Sequence, residues 1–92
     1  MTKQEAMRPL AQAVKHLEKG DWEKAHAIVQ EDESRLSCWL HGIVHMMEGD
    51  EGNARYWYRR AKRAFPKEAS IEAELRAARR AIEEENPSRR EL

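Results

Sequence analysis

Two histidines one helical turn apart, His41 and His45, are followed by Glu48 and Asp50. Imidazole and carboxylate groups spaced along one helix face could hold a divalent cation. No HExxH pattern supplies the general base of a hydrolytic zinc site, and Cys38 stands a turn before His41 on the same side of the helix. The competing reading has both rings packed against a partner helix and hydrogen-bonded to Tyr58, Asn53 or a carboxylate. Histidines that face another helix are more often satisfied core groups than ligands, so this second reading is preferred. No metal or other cofactor is therefore expected, and a metal-binding or enzymatic site built on His41, His45 and Glu48 stands as the alternative.

The second chemical feature is basic. From Asn53 through Lys67 there is no acidic residue, while Arg55, Arg59, Arg60, Lys62, Arg63 and Lys67 fall in that run with Tyr56 among them. Arginine interleaved with an aromatic suits phosphates or stacked bases. The chain as a whole has seventeen acids and seventeen bases and no net charge, which argues against nucleic acid, whose affinity comes chiefly from phosphate neutralisation. Tyr56, Arg59, Arg60 and Arg63 are the residues expected to meet an anionic protein or peptide. RNA binding by this helix is the alternative.

Glu48, Asp50 and Asn53 bracket a turn, where Asp50 can cap the following helix and Asn53 can bond back to the preceding one. A carboxylate pair could do acid–base work, but no nucleophile, glycine-rich phosphate loop or water-excluding lid accompanies it. The chain is not expected to be an enzyme.

The elements that position these residues read as five helices. Thr2 and Glu5 have capping-box spacing, so the first helix begins near Lys3, or near Arg8 if Pro9 breaks it. Its inward stripe is Ala6, Leu10, Ala13, Val14 and Leu17, and Gly20 ends it in the left-handed conformation. Asp21 caps a second helix, roughly Trp22 to Glu31, with Trp22, Ala25, Ile28 and Val29 inward. The EDES cluster, Glu31 to Ser34, then caps a third, about Arg35 to Glu48. That helix is apolar along Leu36, Trp39, Leu40, Ile43 and Met47, and carries Gly42 on its other side. A mid-helix glycine costs about 1 kcal/mol relative to alanine and signals close approach of another helix. The central helix should therefore be buried on both sides.

Gly49-Asp50-Glu51-Gly52 turns the chain into a fourth helix ending at Phe65, with Ala54, Trp57, Tyr58, Ala61 and Phe65 inward. Pro66 opens a fifth, Glu68 to Glu85, whose stripe of Ile71, Leu75, Ala78 and Ile82 is narrow enough for a terminal capping helix. Asn86-Pro87 stops it, giving one domain over residues 1–86 and a flexible tail over 87–92.

Ninety-two residues make a single domain with a lean core, and 40% hydrophobic against 37% charged residues is a soluble balance. The charge is unevenly spread: residues 1–53 carry ten acids and six bases, residues 54–92 seven acids and eleven bases. That asymmetry could steer a partner or align two copies head to tail. One cysteine, no apolar run of spanning length and no signal-peptide core point to a cytoplasmic protein away from membranes.

Overlaying Gly20-Asp21 on Gly49-Asp50 gives a period of twenty-nine residues that also pairs Ala13 with Gly42 and His16 with His45. At the second of these repeats the chain resembles the tetratricopeptide family. Gly42, Gly49, Ala54, Tyr58, Ala61 and Pro66 match its steps without a gap. In the first repeat Ala13, Gly20 and Ala25 fit, while Val29, Asp32 and Ser37 fill the later steps. The resemblance implies an all-α fold, a right-handed stack of two tetratricopeptide-like hairpins plus a C-terminal capping helix. It also implies a noncatalytic module that holds a protein, a peptide or a second copy of itself in a short groove. The block His41 to Arg60 further resembles one in small proteins with no assigned activity, and carries no function across.

Overall fold

The computed structural model describes residues 3–67 and 70–85. Helix α1 spans Lys3–Glu18, α2 Trp22–Val29, α3 Arg35–Glu48, α4 Glu51–Arg60 and α5 Ile71–Glu85, with no strand among the described residues. The chain is all-α. The expected capping box at Thr2 and the tail beyond Glu85 lie outside the described residues.

Pro9 is accommodated inside α1, which runs through it from Lys3. Proline removes one backbone donor there, and the helix persists because its inward face is paid back by burial: Leu10, Ala13, Val14 and Leu17 are all buried. Gly20 and Gly49 end α1 and α3 with φ of +81° and +87°. At both ends the next backbone amides fold back in the same pattern, Asp21 N–H to the His16 carbonyl and Asp50 N–H to the His45 carbonyl. Asp21, Ser34 and Asp50 accept from the amides of Lys24, Ser37 and Asn53 as N-caps.

Three boundaries differ from the sequence expectation. Helix α2 stops at Val29, two residues early, where Oδ1 of Asp32 takes the Ser34 amide and starts a turn. Helix α4 stops at Arg60 rather than Phe65, because Lys62 adopts φ of +60° and the Arg63 amide returns to the Tyr58 carbonyl. Lysine here makes the same terminal turn that glycine makes at 20 and 49. Helix α5 begins at Ile71 rather than at Glu68, with Ser70 Oγ accepting from Ala73 N–H.

Helix α3 is the centre, with every residue from Ser37 to Val44 buried. Helices α1 and α2 pair, α3 and α4 pair, and α2 packs on α3. The Ser37 hydroxyl donates to the Val29 carbonyl at 3.0 Å, so the open end of α2 is satisfied by α3. Helix α5 lies along α1 and α3, with Leu75, Ala78 and Ile82 buried against them. Arg79 pairs with Glu18 of α1, and Glu74 reaches Tyr58 of α4. The face shared by α1 and α3 is therefore covered by the chain's own last helix. A radius of gyration of 12.5 Å matches the roughly 12 Å of a compact chain this long, not an open solenoid arm. No helix among the described residues is long and apolar enough to cross a membrane.

Candidate functional site

The packing of α2 on α3 brings a third histidine to the pair foreseen on α3. His26 of α2 meets His41 edge-on, with ring centroids 4.8 Å apart, and His45 likewise at 5.5 Å. His41 and His45 are nearly parallel at 5.1 Å. One ligand nitrogen from each ring lies within 4.8 Å of the other two. His41 is also stacked flat on Trp57 of α4, with centroids 3.7 Å apart and planes 8° from parallel. His41 is thus held by Trp57 from a third helix, while His26 meets the other two rings edge-on.

Glu48 orients the cluster from outside. Its Oε1 lies 2.8 Å from Nδ1 of His45. A carboxylate can only accept, so a proton sits on Nδ1 and Nε2 is the ring nitrogen that can offer a lone pair. Burial lowers His41 from the usual imidazole range to about 4, helped by the charges of His26, His45 and Arg60. At neutral pH His41 is uncharged.

Of the remaining expected members, Asp50 sits within ligand reach of His45 and Glu48. Its two oxygens are engaged, however, one by the Asn53 amide at 3.2 Å and the other by Asn53 Nδ2 at 2.7 Å. Those two bonds hold its carboxyl below the ordinary range. Asp50 is therefore a cap, as expected, while Asn53 bonds to Asp50 and not across to α3. Tyr58 also departs from expectation, since its hydroxyl donates to Glu74 at 2.6 Å and not to a histidine. Cys38 is buried, with Sγ 3.8 Å from the Glu33 carbonyl, outside the ligand group.

His26 was the residue missed by spacing alone. It carries no motif and belongs to another helix. The available signal was its place beside Ala25 and three residues before Val29, the two residues α2 buries. A short loop from α2 to α3 brings that flank onto the third helix.

The basic run is split by the early end of α4. Tyr56 and Arg60 are brought together: the guanidinium donates to the phenol oxygen at 3.0 Å, and also pairs with Glu33 at 3.6 Å. Arg60 further lies 5.2 Å from the Trp57 ring centre. Arg59 is exposed on the same helix. Arg63 is not on that face, because the left-handed Lys62 sends it over the Trp39 ring, 3.4 Å from its centre. Arg55 covers Phe65 at 4.4 Å and bonds Glu51. Among the described residues Tyr56 is the one large hydrophobic side chain left exposed, at 41%.

Comparison of the chain with protein-family models, with curated proteins and with solved structures gives no match. The tetratricopeptide resemblance thus rests on the residues of the second hairpin.

Proposed function

We propose that this domain is a noncatalytic binding module whose outer α4 surface, Tyr56 with Arg59 and Arg60, takes an acidic segment of a protein partner. The observation that carries the reading is the one exposed aromatic among the described residues, Tyr56, held by Arg60 and followed by Arg59 on the same helix. A rigid amphipathic ring beside guanidinium groups is what anchors a peptide carboxylate and its neighbouring apolar side chain. The groove between α1 and α3 does not serve, since α5 fills it.

Two features favour this over its rivals. The acidic groups near the core are bound up structurally, Glu74 by Tyr58 and Trp39 and Asp50 by Asn53, which leaves them unsuited to acid–base turnover. RNA would need a series of exposed rings, whereas Trp39, Trp57 and Phe65 lie under Arg63, Arg60 and Arg55.

The test is titration of a fluorescent Glu/Asp-rich peptide containing one aromatic residue, by anisotropy at two salt concentrations. Arg59→Glu with Tyr56→Ala should abolish binding while circular dichroism stays unchanged. Arg63→Glu should weaken it less. Equal binding by wild type and the double variant would refute the reading, and sedimentation of the free protein would reveal self-association through the same surface.

A further inference from the structure

Three imidazoles gathered between two helices are a poor choice for packing alone. His41 brings its polar ring out of water, and His26 and His45 do so in part, where leucine would bury at a gain. The position of the cluster, its second-layer carboxylate and its rigidity together suggest another use.

We propose that His26, His41 and His45 bind one divalent first-row transition ion, zinc in the first instance, with Glu48 holding His45 in the coordinating tautomer rather than ligating. None of its three ligands belongs to the α4 surface proposed above, although Arg60 borders both, so His26→Gln and Tyr56→Ala test the two readings separately.

The geometry is near what such an ion requires. Tetrahedral zinc with zinc–nitrogen bonds of about 2.0–2.1 Å spaces its ligand nitrogens about 3.3 Å apart. The three nitrogens lie within 4.8 Å of one another, and the nearly parallel rings of His41 and His45 must turn about their side-chain bonds for both lone pairs to meet one ion. His41 and His45 stand one turn apart on α3, and His26 comes from α2, whose end is tied to α3 by the Ser37 bond to Val29. Imidazole nitrogen suits zinc, copper and nickel far better than calcium or magnesium.

The surroundings match in kind. A ligating imidazole commonly donates its second nitrogen to a carboxylate, which fixes its orientation and raises its basicity. The 2.8 Å contact of His45 Nδ1 with Glu48 is that arrangement. His41 is buried against Trp57, which shields that side of the cluster from bulk water. Arg60 opposes a dication here, and the carboxylates of Glu48 and Glu33, the latter paired with Arg60, offset it. Three protein nitrogens leave a fourth position for water or an external ligand.

The experiment uses the full chain without a polyhistidine tag, freed of metal by chelator, titrated calorimetrically with zinc and spectroscopically with cobalt(II). The expected result is one ion per chain, with cobalt giving the intense visible bands of a four-coordinate site. His26→Gln should weaken zinc binding at least tenfold, Glu48→Gln by about 10–100-fold, and His16→Gln not at all. His26 is only partly buried, so its variant should keep the helical spectrum. If His41→Gln fails to fold, His26→Gln and Glu48→Gln still decide the matter. Zinc uptake by the His26 variant equal to wild type, or the weak spectrum of six-coordinate cobalt with no calorimetric binding, overturns the proposal.

Discussion

The ring of Tyr58 lies across the backbone of Gly42, so close that a Cβ at position 42 would stand 2.5 Å from Cδ1 and 2.7 Å from Cε1. Glycine at this step is what lets α4 approach the central helix. Gly42→Ala would gain about 1 kcal/mol of helix propensity. The clash should outweigh it, because Tyr58 is buried and anchored at its hydroxyl by Glu74 and cannot swing aside. Overpacking of this kind costs roughly 1–3 kcal/mol. The variant should therefore unfold at lower urea than wild type, and a higher midpoint would show that α4 is free to shift.

Glu74 supports the same contact from α5. Its Oε1 accepts from Tyr58 Oη at 2.6 Å and from Trp39 Nε1 at 3.1 Å, joining three helices through one oxygen. Burial, and then the Glu74 bond, push the Tyr58 phenol well above its ordinary range, so it stays a donor. Glu74→Ala leaves two donors of the core without a partner and should lose about 2 kcal/mol. Tyr58→Phe removes one donor with its bond and should lose about 1 kcal/mol. Urea unfolding followed by tryptophan fluorescence measures both, and equal losses would show that the Trp39 bond contributes nothing.

Much of this architecture was legible because it is written in local signals. Asp21, Ser34 and Asp50 act at once on the next turn, and Gly20 and Gly49 are forced by positive φ, so these caps followed from residue type. The burial of α3 on both sides was legible from Gly42. Lys62 hid the end of α4, since lysine gives no sign that it will take a left-handed conformation. The placement of α5 on α1 and α3 was equally hidden, because its apolar stripe states that it packs but not on what. In the candidate site, His41 and His45 were visible as a pair on one helix. His26 reached them through tertiary packing, which no spacing within one helix encodes.

Lys62 offers a direct check on that helix end. Its φ of +60° lies where a side chain is strained by roughly 1 kcal/mol, and where glycine is not. Lys62→Gly should raise stability by about 1 kcal/mol, against the loss that glycine brings in an ordinary helical position. Thermal and urea melts would show the sign. A loss would mean that the lysine side chain makes up the strain elsewhere.

His41 should make the fold sensitive to mild acid in metal-free buffer. It faces His26 from α2, His45 on its own helix, and Trp57 and Arg60 from α4, and none of the groups that shift it is an acid that would favour the cation. Its folded value is lowered from 6.5 to about 4, so below pH 6.5 the unfolded chain binds this proton more readily than the native one. Stability from this group is complete above pH 6.5 and drains away as pH falls toward 4. The slope rises toward 1.36 kcal/mol per pH unit, which makes about 1.6 kcal/mol between pH 6.5 and 5, a window above most carboxylate titrations. Urea midpoints taken across that window with chelator present should fall for wild type and stay nearly level for His41→Gln. A wild-type curve that is flat from pH 6.5 to 5 would mean that His41 can be protonated in place, and that the cluster opens to water more readily than its stacking on Trp57 implies.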